Sequence, residues 1–307
     1  MAQKWKITVM AGGPSAEREV SLRSGAAVAR ALAGLGHDVA SLDPAANGGW
    51  SLPAGTDAVF LALHGTYGED GTVQRQLDAL GVPYTGCGAE ASRIAFDKAA
   101  TKDRCRAAGV PTARFTVLRA PVTEWPAGWQ PPVVLKPVRQ GSSVGLHFVN
   151  EPAALAAALR DALRFDTEVL MEERISGRET TVGILEDRAL PVVEVRPHQG
   201  AYDYHNKYTT GATEYLVPAP FDAATTARVQ AAALGAFCAV DGRDYARVDV
   251  MVRPDGSPVV LEVNTLPGMT ELSLLPKAAA AAGLGFAGLC EKMVELALRH
   301  PGGARRI

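Results

Sequence analysis

Residues Tyr245–Met269 read YARVDVMVRPDGSPVVLEVNTLPGM. Asp255-Gly256 is a two-residue turn signal between two runs rich in alternating valines, so the stretch reads as a β-hairpin. Such a turn sets Asp249 opposite Glu262, Arg247 opposite Asn264 and Met251 opposite Val260. Side chains alternate between the faces of a strand. Val248, Val250 and Val252 therefore share a core face with Val259, Leu261 and Val263, while Arg247, Asp249, Glu262 and Asn264 collect on the other face. Two carboxylates directly opposite each other repel, so a positive charge between them is expected. Asp, Glu and a neutral Asn offer only oxygen, which suits Mg²⁺, a hard cation usually shared with substrate phosphates. The plain alternative is a solvated polar face on a surface hairpin. The loop that follows, Thr265–Thr270, is rigid and brings backbone donors to the same end, which favours the metal reading.

Around this hairpin lies a chain of 307 residues, long enough for two or three cores. Its net charge of −2 offers no basic field for nucleic acid, and 47% hydrophobic residues is ordinary for a soluble protein. Met1–Lys6 runs straight into a strand rather than into a signal peptide, and no apolar run reaches the length of a membrane helix. Cys87, Cys105, Cys238 and Cys290 are widely spaced, which indicates neither a zinc site nor a disulfide framework. Free thiols fit a reducing cytoplasm.

Lys6–Met10 is an apolar strand, followed by Ala11-Gly-Gly-Pro-Ser15 and a helix from about Ala16 to Leu35. Strands at 39–42 and 58–63 alternate with helices at 72–80 and after Gly88, which predicts a doubly wound parallel sheet. Ligands in such sheets bind at the carboxyl ends of the strands. Glu17, His64 and Tyr84-Thr-Gly86 sit there. Glu17 is either a favourable helix-end charge or a binder of an ammonium group, and His64 alone is as readily structural. Gly12-Gly13 with Asp43 further on leaves a nicotinamide oxidoreductase as a competing reading, although Gly-x-Gly-x-x-Gly is absent.

A second unit starts near Ala95, with Asp97 capping a helix that ends at Gly109. Strands at 114–118 and 133–136 lead to Arg139-Gln-Gly-Ser-Ser-Val-Gly145, a glycine-rich loop between strands that exposes successive N–H groups to an anion. Lys136 ends the preceding strand and can reach a phosphate. An ordinary flexible hairpin is the alternative. Strand 168–172 runs into a connector, 173–177, that can offer backbone groups to an adenine edge. The third unit has strands at 180–185 and 190–195, a long polar loop at 196–214 with the character of a lid, a helix from Asp222 to about Val240, the hairpin, and a terminal amphipathic helix at 289–298.

The glycine-rich flap, the lysine before it, the connector acids and the D…E-x-N hairpin together resemble the ATP-grasp ligases. Gly12–Ser21, Leu63-His-Gly65, Gly68–Gly71, Pro83–Gly86, Asp97-Lys98, Gly141–Gly145, Lys207-Tyr208, Arg247–Val250 and Glu262–Thr270 occur in the order found in the D-alanine:D-alanine ligase family, and the resemblance covers essentially the whole chain. It implies an α/β ATP-grasp fold in three domains: an N-terminal α/β domain over 1–95, a central α+β subdomain over 96–177 and a C-terminal α+β subdomain over 178–307.

The resemblance also implies roles for single residues. Lys98 and Lys136 contact ATP phosphates under the flap Gly141, Ser142, Ser143, Val144 and Gly145. Glu172, Glu173 and Ile175 border the adenine, and Glu179 takes the ribose. Asp249, Glu262 and Asn264 hold two Mg²⁺, replaceable by Mn²⁺, with Glu262 bridging. Glu17 takes the first D-alanine ammonium and forms a triad with Ser142 and Tyr208. Arg247 and the Gly268 N–H stabilise the oxyanion, Ser273 and Leu274 hold the second carboxylate, and His64 and Lys207 line the site. Gln140 stands where many members of the family have Glu. Tyr208 favours the dipeptide former over the D-alanine:D-lactate branch, which tends to carry Phe there. A cytoplasmic homodimer, acting on small molecules and on neither nucleic acid nor membrane, completes the expectation.

Overall fold

The computed structural model describes residues 3–45, 48–122, 124–198 and 211–300. The parallel sheet predicted at the start of the chain is present. Strands β1 (Lys6–Met10), β2 (Asp38–Leu42) and β3 (Ala58–Leu61) lie in the order β2-β1-β3, all parallel, and Tyr84 bridges to Val59 at the outer edge. Helix α1 (Arg18–Gly34) connects β1 to β2, while α2 (Thr72–Leu80) and α3 (Ala89–Phe96) both follow β3. One face of the sheet packs Met10, Val59 and Leu61 against Val73 and Leu77 of α2. The other packs Ile7, Val9 and Phe60 against Val28 and Leu32 of α1.

Two helices from the far end of the chain share this second layer. Leu275 and Ala278 of α7 (Leu274–Ala281) and Leu289, Met293 and Val294 of α8 (Phe286–Leu298) join the cluster built on β1 and β3. The C-terminal helix therefore covers the N-terminal sheet. Its apolar positions at 289, 290, 293, 294 and 297 are spaced for one buried stripe.

Helix α4 (Lys98–Ala107) begins where Asp97 accepts a hydrogen bond from Ala100 N at 2.9 Å, the cap read in the sequence. An antiparallel sheet β4-β7-β5-β6 then forms from Phe115–Leu118, Val169–Glu173, Val133–Pro137 and His147–Val149, backed by α5 (Leu155–Ala162). The next sheet runs β11-β10-β8-β12-β13, with β8 (Arg178–Leu185), β9 (Arg188–Ala189), β10 (Val193–Pro197), β11 (Thr213–Leu216), β12 (Tyr245–Val252) and β13 (Pro258–Asn264); β9 pairs with β8. Glu214 and Thr213 pair with Arg196 and Pro197, so both ends of the expected lid loop are strands. Residues 199–210, including Lys207 and Tyr208, lie outside the described residues. Helix α6 (Ala223–Ala239), capped by Asp222 through Thr225 N at 2.7 Å, lays Val229, Ala233, Ala236 and Phe237 on this sheet. Removing such a side chain, as in Phe237→Ala, costs roughly 3–5 kcal/mol.

The hairpin departs from its predicted register in two places. Gly256 N donates to Arg253 O and Arg253 N to Ser257 O, both at 2.9 Å, so the loop is Pro254-Asp255-Gly256, three residues rather than two. Gly256, at φ 78°, supplies the left-handed step such a loop needs. A bulge then intervenes between Asp249 and Val250, leaving Leu261 as the extra residue. Met251 consequently faces Val259, not Val260. The core face is Val248, Val250 and Val252 with Val260 and Val263; Val259 and Leu261 are absent from that cluster. Beyond the bulge the two shifts cancel, and Asp249 faces Glu262 and Arg247 faces Asn264 as read in the sequence.

Candidate active site

The polar face of that hairpin opens on a cavity of about 1350 Å³. Its wall takes Glu17 from the start of α1, His64 from the loop after β3, Lys98 from α4, Ser142 from the flap, and Arg247 and Glu262 from the hairpin. Asn264, Gly268, Ser273 and Leu274 complete one end, and Gly141 stands in the flap above. Elements from the whole length of the chain thus converge on one chamber.

Glu17 occupies the N-cap position of α1 without making a capping hydrogen bond. Its carboxylate accepts instead from the Ser142 hydroxyl. The close fit needs two glycines: a Cβ on Gly65 would meet Glu17 Oε2 at 2.8 Å, and one on Gly141 would meet it at 2.7 Å. Ser142 and Ser143 hold φ of 50° and 59°, which folds the flap tightly and costs backbone strain. Val144 N returns to Gly141 O at 3.1 Å.

The root of the flap is fixed by Arg139. Its guanidinium reaches Asp97, Asp166 and Glu168 at 3.2, 2.7 and 2.7 Å. Burial opposes its charge, yet these carboxylates raise its pKa above the ordinary arginine value. Lys98 Nζ donates to Gln140 O at 2.6 Å and lies 3.6 Å from Glu262 Oε2. Gln140 itself donates to Phe165 O at 3.0 Å, so the side chain present here fastens the flap to α5's end rather than to a cation.

On the hairpin, Arg247 grips Asp249 with two hydrogen bonds of 2.9 and 2.8 Å, and Thr181 donates to Asp249 Oδ1 at 2.6 Å. The Asn264 side-chain oxygen accepts from Leu266 N at 3.1 Å. Glu179, on β8 opposite Met251, shares the face of the sheet that carries Asp249. The opposed carboxylates are flanked by Arg247 and Lys98, and the donor set of two carboxylates and one amide is entirely oxygen, which fits a hard divalent cation.

His64 is 5% exposed and touches Leu266 O at 3.0 Å and Ser24 Oγ at 3.3 Å. Ser24 also accepts from Met269 N at 3.2 Å. His64 thus lines the chamber and ties the first sheet to the 265–269 loop. Ser273 opens α7, and its hydroxyl accepts from Thr270 N at 3.0 Å. The N–H groups of a helix start favour anions.

Behind the chamber lies a buried ion cluster. Glu172, 3% exposed, has Oε1 2.6 Å from Lys136 Nζ and Oε2 2.8 Å from Lys102 Nζ. Burial works against its ionisation, but Lys136 and Lys102 outweigh that and hold its carboxyl at about 2. Burial also opposes the charge on Lys136, yet Glu172, then Glu262 and Asp249, raise its pKa. Burial lowers that of Lys102. Glu173 pairs with Arg253 at 3.2 Å, and Ile175 is half-buried in the connector.

Lys102, Thr181, Ser24 and Thr112 were not singled out in the sequence. Lys102 had a signal: it stands one helical turn from Lys98. The oxidoreductase reading fails at Asp43. Its carboxylate is taken by Gly13 N at 2.9 Å and by Arg18 at 2.8 and 2.5 Å, and a Cβ on Gly12 would strike it at 2.3 Å. It closes the loop after β1, and its oxygens are spent within the protein. Among the described residues no helix is long and apolar enough to cross a membrane.

Known proteins share this arrangement. A family model described as D-ala D-ala ligase C-terminus matches residues 105–295, and one described as D-ala D-ala ligase N-terminus matches 47–87. A D-alanine–D-alanine ligase of Methylacidiphilum infernorum is 46% identical over 94% of each chain, and one of Herminiimonas arsenicoxydans is 46% identical over 96% of this chain and 92% of its own. The crystal structure of the Bacillus anthracis D-alanine–D-alanine ligase superposes with a TM-score of 0.83 at 36% identity, covering 96% of this chain and 98% of that one. Its complex with ATP gives 0.82 at 34% identity, covering 97% and 98%. The chain belongs to the D-alanine–D-alanine ligase family.

Proposed function

We propose that this protein joins two molecules of D-alanine into D-alanyl-D-alanine for cell-wall precursor synthesis, converting ATP to ADP and phosphate. The observation that carries the reading is the chamber in which Glu17, the Ser142 flap, Lys98, Arg247, Glu262 and the start of α7 face one another. Relatives named for this reaction, and a neighbour with ATP bound, support it.

A carboxylate is a poor electrophile, so the first D-alanine is activated by attack of its carboxylate on the γ-phosphate, giving an acyl phosphate. Glu17 holds that substrate's ammonium. Ser142 closes the flap onto Glu17 and brings the Gly141–Gly145 amides toward the phosphates, where Lys98 and Lys136 lie as charge partners. The nucleotide's adenine end lies along Glu172, Glu173 and Ile175, with Glu179 for the ribose. Asp249, Glu262 and Asn264 would hold Mg²⁺, which would supply positive charge to the phosphates. The second D-alanine docks its carboxylate at Ser273, Leu274 and the α7 amides. Its amine attacks the acyl carbon, Arg247 with Gly268 N–H takes the charge that develops on oxygen, and the acyl carbon–oxygen bond breaks to release phosphate as the amine loses its proton. Closure keeps water from the acyl phosphate. Lys207 and Tyr208 lie outside the described residues; their roles here rest on the family resemblance alone, Tyr208 favouring an amine over D-lactate as second substrate. We place the protein in the cytoplasm as a homodimer.

The test is phosphate release with ATP and Mg²⁺ across D- and L-amino acids and D-lactate, with product analysis. Release that requires D-alanine and yields the dipeptide is expected; release indifferent to the amino acid would overturn the assignment.

A further inference from the structure

The reaction above leaves Lys102 without a role, although its burial is costly. Lys102 is 1% exposed, and an ammonium so deep costs several kcal/mol unless its partners are well placed. It follows Lys98 by one turn of α4, so the two project from the same side of the helix. Lys98 reaches Glu262, and Lys102 reaches Glu172. Lys102 Nζ also donates to Thr112 Oγ1 at 2.8 Å, and that hydroxyl donates onward to Val260 O at 2.9 Å. The hydroxyl's proton is thereby committed to the hairpin strand, and only a donor such as Lys102 can satisfy its other side. Val260 lies directly beside the bulge that turns Glu262 into the chamber.

Glu172 is therefore divided. One carboxylate oxygen faces Lys136, the other Lys102. Paired with Lys136 alone, it would spend that lysine's charge in a neutral ion pair. Shared between two ammonium groups, it leaves the cluster with a positive charge. Lys136 lies near enough to Glu262 and Asp249 for their charges to bear on it, so that positive charge lies toward the carboxylates of the hairpin.

We propose that Lys102 is a positioning residue for the nucleotide: it shares Glu172 with Lys136, so that the cluster keeps a net positive charge for the triphosphate, and through Thr112 it locks α4 to the strand bearing Glu262. The proposal rests on the reading of Lys136 as a phosphate partner.

Calorimetry of the full-length protein with ATP and, separately, with inorganic tripolyphosphate, both with Mg²⁺, tests it. Lys102→Met keeps the length of the side chain and removes its charge. It is expected to weaken both ligands by about tenfold or more, to raise the KM for ATP, and to leave the KM for D-alanine unchanged. Lys102→Arg, which restores a cation, is expected to recover most of the affinity. A purely structural role predicts instead that both KM values and the Tm deteriorate together, with no recovery by Arg. Thr112→Val carries the test if the buried methionine prevents folding: it keeps the volume, frees Lys102 from the hairpin and should weaken tripolyphosphate in the same direction. Lys136→Met separates the two failures. If it leaves tripolyphosphate affinity intact, the phosphate role of Lys136 is wrong. If it weakens binding while Lys102→Met and Thr112→Val do not, only the role of Lys102 is wrong.

Discussion

Ser142 in the flap donates its hydroxyl to Glu17 at the start of α1, across 125 residues of chain. One hydrogen bond thus joins the roof of the chamber to its floor. The same carboxylate that would hold a substrate ammonium also reports whether the roof is shut.

That junction leaves no space for a methyl group. A Cβ on Gly141 would lie 2.7 Å from Glu17 Oε2, the mobile end of a side chain, so the carboxylate would swing aside. Gly141→Ala is expected to keep its Tm within about 1–2 °C, since surface changes usually stay near ±0.5 kcal/mol. The KM for D-alanine should rise about tenfold or more, because the ammonium's partner is displaced. Steady-state kinetics at saturating ATP, with thermal unfolding alongside, reads both. An unchanged D-alanine KM would remove Glu17 from substrate binding.

Asp249 and Glu262 face each other in register, with Arg247 and Lys98 as flanking cations. Glu262→Gln keeps the shape and removes one charge. Turnover should fall by about a thousandfold, in line with loss of one strong electrostatic element, while circular dichroism stays native. Titration with Mg²⁺ distinguishes weakened metal binding, which excess cation partly restores, from loss of chemistry. Near-normal activity at ordinary Mg²⁺ would place the cation elsewhere.

The sequence predicted the pairing of Asp249 with Glu262 and of Arg247 with Asn264 correctly and the turn end wrongly, for a physical reason. Val259, Val260 and Leu261 are all apolar, so either register buries a hydrophobic residue, and nothing local marks Leu261 as the bulge. Asp97 and Asp222 were legible as caps because a cap is a local contact. Asp43 and Lys102 were not, since their partners, Arg18 with Gly13 and Glu172 with Thr112, are brought near only by the fold. The buried stripe of α4 is Lys98, Thr101, Lys102 and Cys105, a largely polar face that apolar periodicity overlooks. The positions of the flap and of the hairpin acids at one chamber were legible because their residue types mark them as polar groups in otherwise apolar strands and turns.

The thiols give a check on the packing. Cys238 is exposed, while Cys87, Cys105 and Cys290 are buried, with burial pushing their pKa values up to about 12, 11 and 12. A thiol must ionise and be reached to react. Ellman's reagent at neutral pH should therefore modify one thiol quickly in the native protein and all four in denaturant. Cys238→Ser should abolish the fast phase with full activity retained. Two fast thiols would mean that one of the buried clusters opens.

Acid should test the Lys102–Glu172–Lys136 cluster directly. Burial alone would raise the Glu172 pKa, but Lys136 and Lys102 hold it at about 2, against 4.5 for the free side chain. A carboxyl depressed on folding stabilises the protein above its unfolded value, and that stability is lost as pH falls through the folded value. The window is therefore from 4.5 down to about 2, and the contribution is about 3 kcal/mol at neutral pH. Glu172→Gln cannot ionise and leaves two lysines sharing a neutral amide, so it should be less stable than wild type by an amount that is constant above about pH 5. Between pH 5 and pH 3 the gap should close by roughly 2 kcal/mol, as the wild-type advantage titrates away. Urea unfolding of both proteins at matched pH measures it. A gap that stays constant across this range would mean that Glu172 is not held ionised by its two lysines, and the charge left on Lys136 for the triphosphate would need another source.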